Sequence, residues 1–264
     1  MFDALSIGAT GMVAQQTNVD TIANNLANAS TPAFKKSRVN FSDLMVRSAF
    51  ATGGASMDAG GLPLDAMRSA GAGVGIGNTS KSFEAGSLTK TESPLDVAIR
   101  GDGFLEVQLP DGGRAFMRGG TLKVGLDGQL SNQAGFPLKP GLTIPADTRS
   151  ISIGSDGRVQ ASVGDGTRTV EIGQLELVRF ANPQGLLAQG DNLYRVSDHS
   201  GEPIPGKAAE DGMGSLAQGY LEASNVKMVD EMVNLMIAQR AYEASVKVVQ
   251  ASDEMLGMVN GLRK

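Results

Sequence analysis

The chain has 264 residues, 41% of them hydrophobic, no cysteine and a formal net charge of −5. That length and apolar content suffice for a real core in one or two domains, while the missing cysteines exclude disulfides, thiolate nucleophiles and zinc–thiolate sites. An acidic chain without a lysine or arginine cluster is not built to bind nucleic acid or an anionic membrane, and no apolar run reaches the roughly eighteen residues that membrane insertion requires.

At the start of the chain Leu5, Met12, Val19 and Leu26 recur every seven residues, with Ala9, Ile22 and Ala23 between them and Asp3, Gln15, Asn18 and Asp20 interleaved. This predicts a helix with a narrow apolar stripe within residues 1–34. It is not expected to be a cleaved secretory signal, because the first basic residue is Lys35 and Gly8, Thr10, Gln15 and Gln16 break any apolar core. Asn24, Asn25 and Asn28 compete with the helical backbone for hydrogen bonds. Thr31, preceding Pro32, is pushed out of the α region, so the chain turns there.

Residues 35–94 read as an extended, glycine-rich connection. Phe41 to Ser48 are expected to form a short helix, followed by turn-rich segments at Gly53-Gly54 and Gly60-Gly61. The run Gly71 to Gly77 lacks the preceding strand and following helix of a dinucleotide fingerprint, and no Walker lysine follows it. It reads as a flexible or edge-strand segment.

From residue 95 to 215 the apolar period drops to two. Leu95, Val97 and Ile99 alternate with other residues, as do Leu105, Val107 and Leu109, then Val159, Ala161 and Val163, and later Leu175 and Leu177. Asp-Gly pairs at 111, 127, 156 and 165 separate these runs, where type I′ hairpin turns are expected. An antiparallel β-rich domain follows. The turn role accounts for those aspartates without catalysis, and none has calcium-loop spacing. The single histidine, His199, lies in a polar loop, and no Gly-x-Ser-x-Gly elbow accompanies it. No catalytic residue, cofactor or metal is expected, and an enzyme or carbohydrate-binding module is the distant alternative.

Residues 216–264 are predicted to form the second long helix. Val226, Val229, Val233, Ile237, Ala241, Ala244, Val248, Ala251, Met255, Val259 and Leu262 cover thirty-six residues in ten steps, a mean step of 3.6. Ser224 or Asn225 can cap its start. Of 35 glycines, 31 lie between Lys35 and Gly219, so two helical ends bracket a different kind of domain. The fold class is α+β: long N- and C-terminal helices paired as a coiled-coil stem, with an antiparallel β-rich domain between them. Periodicity alone leaves two readings of the stem, a hairpin closing one globular domain or a stem that also packs against other chains.

The run Asn24-Asn25-Leu26-Ala27-Asn28, with Thr31, Phe34 and Lys35, resembles the N-terminal signature of the bacterial flagellar rod and hook family. Gly219-Tyr220, Ser224-Asn225-Val226 and Gln239-Arg240-Ala241-Tyr242-Glu243 resemble its C-terminal signature. Asp96 to Phe104, Leu109 to Gly112 and Asn192-Leu193-Tyr194 are similar to its distal-rod members. That family has glycine where this chain has Ala33, so Pro32 rather than a left-handed residue is expected to set the turn.

The resemblance implies a structural subunit, of the distal rod or alternatively of the proximal rod or hook, that polymerises with itself into a helical tube. Its implied partners are proximal rod and hook or junction proteins, the surrounding P- and L-ring proteins, and the flagellar type III export apparatus. It implies a periplasmic rod in the basal body, reached without a cleaved signal. The 51–77 stretch is where rod-specific contacts are expected.

Overall fold

No proline interrupts the backbone ladder between Phe2 and Ala27, and the computed structural model has one continuous helix there, α1 (Phe2–Ala27). The structure describes residues 2–47, 69–164 and 168–261. A second helix, α2 (Met228–Gly261), carries Asp230 and Glu231 in its first turn, the end at which the helix dipole favours negative charge. The chain divides into two units. One comprises Met1–Asn24, Arg38–Thr79 and Val229–Lys264, the other Asn25–Ser37 and Ser80–Met228.

In the first unit α1 and α2 approach closely through small residues. A Cβ on Gly8 would meet a Val249 methyl at 2.8 Å, and one on Gly11 would meet Ser245 Oγ at 3.4 Å. Residue numbers rise along one helix as they fall along the other, so the two run antiparallel. A two-stranded sheet of Ser37–Arg47 and Ser69–Lys81 completes the unit. It touches α1 where Gly73, at φ +110°, leaves room for Thr10, whose hydroxyl accepts a bond from the Val74 N–H. A side chain at 73 would collide with Thr10, so a left-handed glycine suits that crossing.

The second unit is the β domain. Its largest sheet has six strands in the order Leu187–Gly190, Leu193–Arg195, Arg114–Met117, Phe104–Gln108, Glu176–Arg179 and Ile204–Lys207. Alternation divides its side chains between two faces. Leu105, Val107, Ala115, Met117 and Leu177 enter the main core with Val97, Ile99, Leu130 and Val159. Phe104, Phe116, Val178 and Tyr194 face the other way and pack with Phe180 and Leu186. Their rings meet edge to face, Phe116 and Phe180 at 4.9 Å between centroids. Burial raises the Tyr194 phenol above its ordinary range.

Four expectations need correction. The helix predicted from residue 216 starts at Met228, because Ser215–Gln218 pairs with Asp96–Arg100 and Tyr220–Glu222 pairs with Leu88–Lys90. Gly219, at φ +74°, joins these two strands in a conformation no helix uses. The short helix expected from Phe41 is instead part of the strand Ser37–Arg47, where Val39 and Phe41 alternate with polar residues. The region 35–94 is likewise not a single connection, since Arg38–Thr79 belongs to the first unit and residues from Ser80 onward to the second.

The hairpin turns also differ in type. At Gly112, Gly128 and Gly157 only the glycine is left-handed, the preceding aspartate keeping negative φ. In each, the glycine N–H bonds the carbonyl three residues back, and that residue's N–H bonds the carbonyl four residues ahead. This is a type I turn closed by a glycine bulge. Between Leu187–Gly190 and Leu193–Arg195 both turn residues, Asp191 and Asn192, have positive φ, at 51° and 56°. Residues 48–68, including most of the glycine-rich stretch, and the Asp165-Gly166 pair lie outside the described residues.

Candidate functional site

The two terminal motifs meet inside the second unit. After α1 the chain passes Thr31 and Pro32 and enters Ala33, which adopts φ +58°. This overturns the expectation drawn from the missing glycine: the left-handed turn is present, built on alanine. Its strain is tolerated because the surroundings hold both ends of the turn. The Ala33 N–H donates to the Glu222 carbonyl at 2.7 Å, and the Phe34 N–H donates to the Thr31 carbonyl.

That turn delivers Lys35 into the interior, where its side chain is fully buried. Its ammonium donates to Glu222 Oε1 at 2.6 Å and to the Glu84 carbonyl at 2.7 Å. The same carboxylate oxygen accepts the Gly86 N–H at 2.9 Å, and Oε2 accepts from Arg118 Nε at 3.4 Å. Arg118 spends its other nitrogens on the carbonyls of Gly103 and Gly101, at 2.7 and 2.8 Å. Burial pulls the Lys35 ammonium below its ordinary value of 10.5, and the bond to Glu222 opposes that shift without cancelling it.

Two asparagines fasten the backbone on either side. Asn25 donates to the Ser37 carbonyl at 2.9 Å and accepts the Ser37 N–H at 2.8 Å, acting as one rung of a strand pair. Asn225 accepts the Lys36 N–H at 2.8 Å and donates to the Ser82 carbonyl at 2.8 Å. The Lys81 ammonium donates to the Lys35 carbonyl at 3.0 Å and lies over the Phe34 ring, 4.5 Å from its centroid. Each charged or amide group here is matched to a partner, and the result is a dry clasp between segments far apart in sequence.

The remaining motif residues fall elsewhere. Asn24 is exposed, Asn28 and Thr31 are half-buried and bonded to one another, and Ser224 accepts the Val226 N–H just before α2. Gly219 and Tyr220 belong to the strand pairing already described. Gln239, Arg240, Tyr242 and Glu243 lie exposed on α2, with Arg240 and Glu243 paired at 3.1 Å. Glu222 and Arg118 were not singled out from sequence. Glu222 stood inside the C-terminal signature, and its place among Tyr220, Leu221 and Ala223 was the available signal. Nothing marked Arg118.

Most of the stripe assigned to stem packing on α2 is exposed in the single chain. On α2 the buried or half-buried line is Glu231, Leu235, Ala238, Ser245, Val249, Ser252 and Leu256. Val229, Val233, Ile237, Ala244, Val248, Ala251 and Met255 are exposed, Val229 by 72% and Ile237 by 61%. Val226 and Ala241 are half-buried. On α1, Leu5, Met12, Val19 and Leu26 are half-buried, and Ile22 is buried along with Ala14 and Asn25. The physical reason is local: Gly8 and Gly11 let α1 approach α2 at Val249 and Ser245, and the line that holds these two residues leaves Val229, Val233 and Ile237 on another face.

Comparison with known proteins gives a consistent result across the chain. Residues 5–35 match the model described as flagella basal body rod protein, residues 98–161 the flagellar hook protein FlgE/F/G D1 domain, and residues 217–262 the flagellar basal body rod FlgEFG protein C-terminal model. The flagellar basal-body rod protein FlgG of Borreliella burgdorferi is 41% identical, with all of both chains covered. That of Buchnera aphidicola from Schizaphis graminum is 42% identical over 99% of this chain and 100% of the relative. That of Caulobacter vibrioides is 39% identical over 98% of this chain and 99% of the relative.

Proposed function

Because the chain belongs to the flagellar basal-body rod protein family, we propose that it is the structural subunit of the distal rod, a helical homopolymer that carries torque from motor to hook. The observation that carries this reading is the exposed apolar face of α2. A free subunit that leaves Val229, Val233, Ile237 and Val248 in water has a face that a neighbouring copy can cover. A heterologous contact of that kind repeats without closing and generates a tube.

In this reading α1 and α2 form a coiled-coil stem, and the stem stripe is buried between copies rather than within one. Proximal rod and hook or junction proteins continue the same packing at the two ends, and P- and L-ring proteins surround the shaft in the periplasm. The subunit leaves the cytoplasm through the flagellar type III apparatus without a cleaved signal. The clasp around Lys35 and Glu222 ties the first and last segments of the β unit to one another.

Electron microscopy of basal bodies from a strain lacking only this gene tests the assignment. A shortened rod without a hook is expected. A complete rod lacking only the hook would move the subunit outward to the hook, and intact flagella would overturn the structural reading. Val233→Asp and Ile237→Asp should block polymerisation while leaving the denaturation midpoint of the monomer nearly unchanged, since both positions are exposed in the free chain.

A further inference from the structure

Five of the twelve methionines fall on α2, and two of them, Met232 and Met236, stand one helical turn apart within the patch formed with Val229, Val233 and Ile237. Their side chains are 47% and 57% exposed. By contrast Met117 and Met213 are 5% and 9% exposed and belong to the main β core. Met232 flanks the buried line Glu231, Leu235 and Ala238 and Met236 lies farther from it, and both are exposed, so water and small oxidants reach their sulfurs in the free subunit. Leucine would fill the same surface with comparable volume and no reactive atom. The chain therefore places the thioethers of Met232 and Met236 along one edge of the exposed patch proposed to join copies, with Met255 farther along the same stripe.

We propose that Met232 and Met236 are a methionine-oxidation site that controls whether a subunit can join the polymer. The inference rests on the proposed self-assembly through α2. Hydrogen peroxide is the oxidant: a sulfur lone pair attacks one peroxide oxygen, the S–O bond forms as the O–O bond breaks, and water leaves after proton transfer. Sulfur is oxidised by two electrons and peroxide is reduced. The product is a polar, chiral sulfoxide that cannot enter a dry apolar contact without leaving its oxygen unpaired. Once assembled, the same two sulfurs are covered by the neighbouring copy and are protected. Sulfoxide reductases acting on both epimers restore the apolar face.

The test uses the full-length chain. Monomer and polymer are exposed to limiting hydrogen peroxide, and peptide mass spectrometry follows the gain of one oxygen at each methionine. Met232 and Met236 should oxidise about tenfold faster than Met117 and Met213 in the monomer, and should fall to the rate of those core residues in the polymer. Peroxide-treated wild type should fail to polymerise, and treated Met232→Leu/Met236→Leu should polymerise normally. Equal loss of assembly in the leucine variant would overturn the inference alone, as would equal oxidation of core and α2 methionines in the monomer. Failure of the untreated wild type to polymerise would overturn the self-assembly reading and the inference with it.

Discussion

Replacing Glu222 with alanine is expected to be among the most destabilising changes of one side chain in this protein. The carboxylate is 1% exposed and faces two cations, Lys35 at 2.6 Å and Arg118 at 3.4 Å, with the Gly86 N–H on the same oxygen as Lys35. At an effective dielectric of about 20, the Lys35 contact alone corresponds to about 6 kcal/mol of gross attraction, most of it offset by desolvation. Removing the anion leaves both cations buried and unneutralised, which costs about 3–5 kcal/mol. Lys35→Met is milder, about 2–3 kcal/mol, because Arg118 still neutralises the carboxylate and the apolar stem of the side chain is retained. Urea denaturation of the full chain, followed by far-ultraviolet circular dichroism, reads both midpoints. Combining the two substitutions gives the coupling between the residues, expected to be about 2 kcal/mol. A coupling near zero, or a Glu222→Ala cost below about 1 kcal/mol, would refute the description of this cluster as a clasp.

Three further outcomes are expected. Gly86→Ala places a Cβ against the Ala223 carbonyl, where backbone must move, so it should separate Leu88–Lys90 from Tyr220–Glu222 and cost about 3 kcal/mol, read as a lowered urea midpoint. Ala33→Val puts a β-branched side chain at φ +58° in a buried turn and should cost about 2 kcal/mol by the same measurement. The third concerns pH: the folded Lys35 pKa lies below 10.5, so between that lowered value and 10.5 the unfolded chain binds more protons. The contribution of Lys35 to stability therefore rises as pH rises through that window, and the gap between wild type and Lys35→Met should widen there. A gap that narrows would contradict the burial of the ammonium.

The helices were legible because a helical period is a local property: neighbours three and four residues apart report it without any tertiary contact. Period two exposed the β domain in the same way. What the period could not say was which chain covers a stripe. The apolar residues of α2 share one side of a helix, yet the contacts between the two helices are made by Gly8 and Gly11 against Val249 and Ser245, where the missing side chains of the glycines allow the approach. Carrying the helical reading back to Leu216 passed over the alternation of Leu216 with its neighbours and over Gly219, both of which mark strand. The short helix expected at Phe41 failed for the same reason, since Val39 and Phe41 already alternate. The motif residues were visible as a signature, but the partner of Lys35 was not, because pairing across the whole β domain leaves no trace in local spacing.

That separation also orders events in time. Lys35 and Glu222 are 187 residues apart, and a ribosome adds about 5–20 residues per second. An ammonium destined for a dry interior therefore waits about 10–40 seconds for its counter-ion to be made. Throughout that interval the segment holding Lys35 has no stable place inside the domain and stays hydrated. The last strand before α2 is thus the step that commits the first, and a chain truncated before Tyr220 should leave its opening motif unlatched however well the intervening sheet has formed.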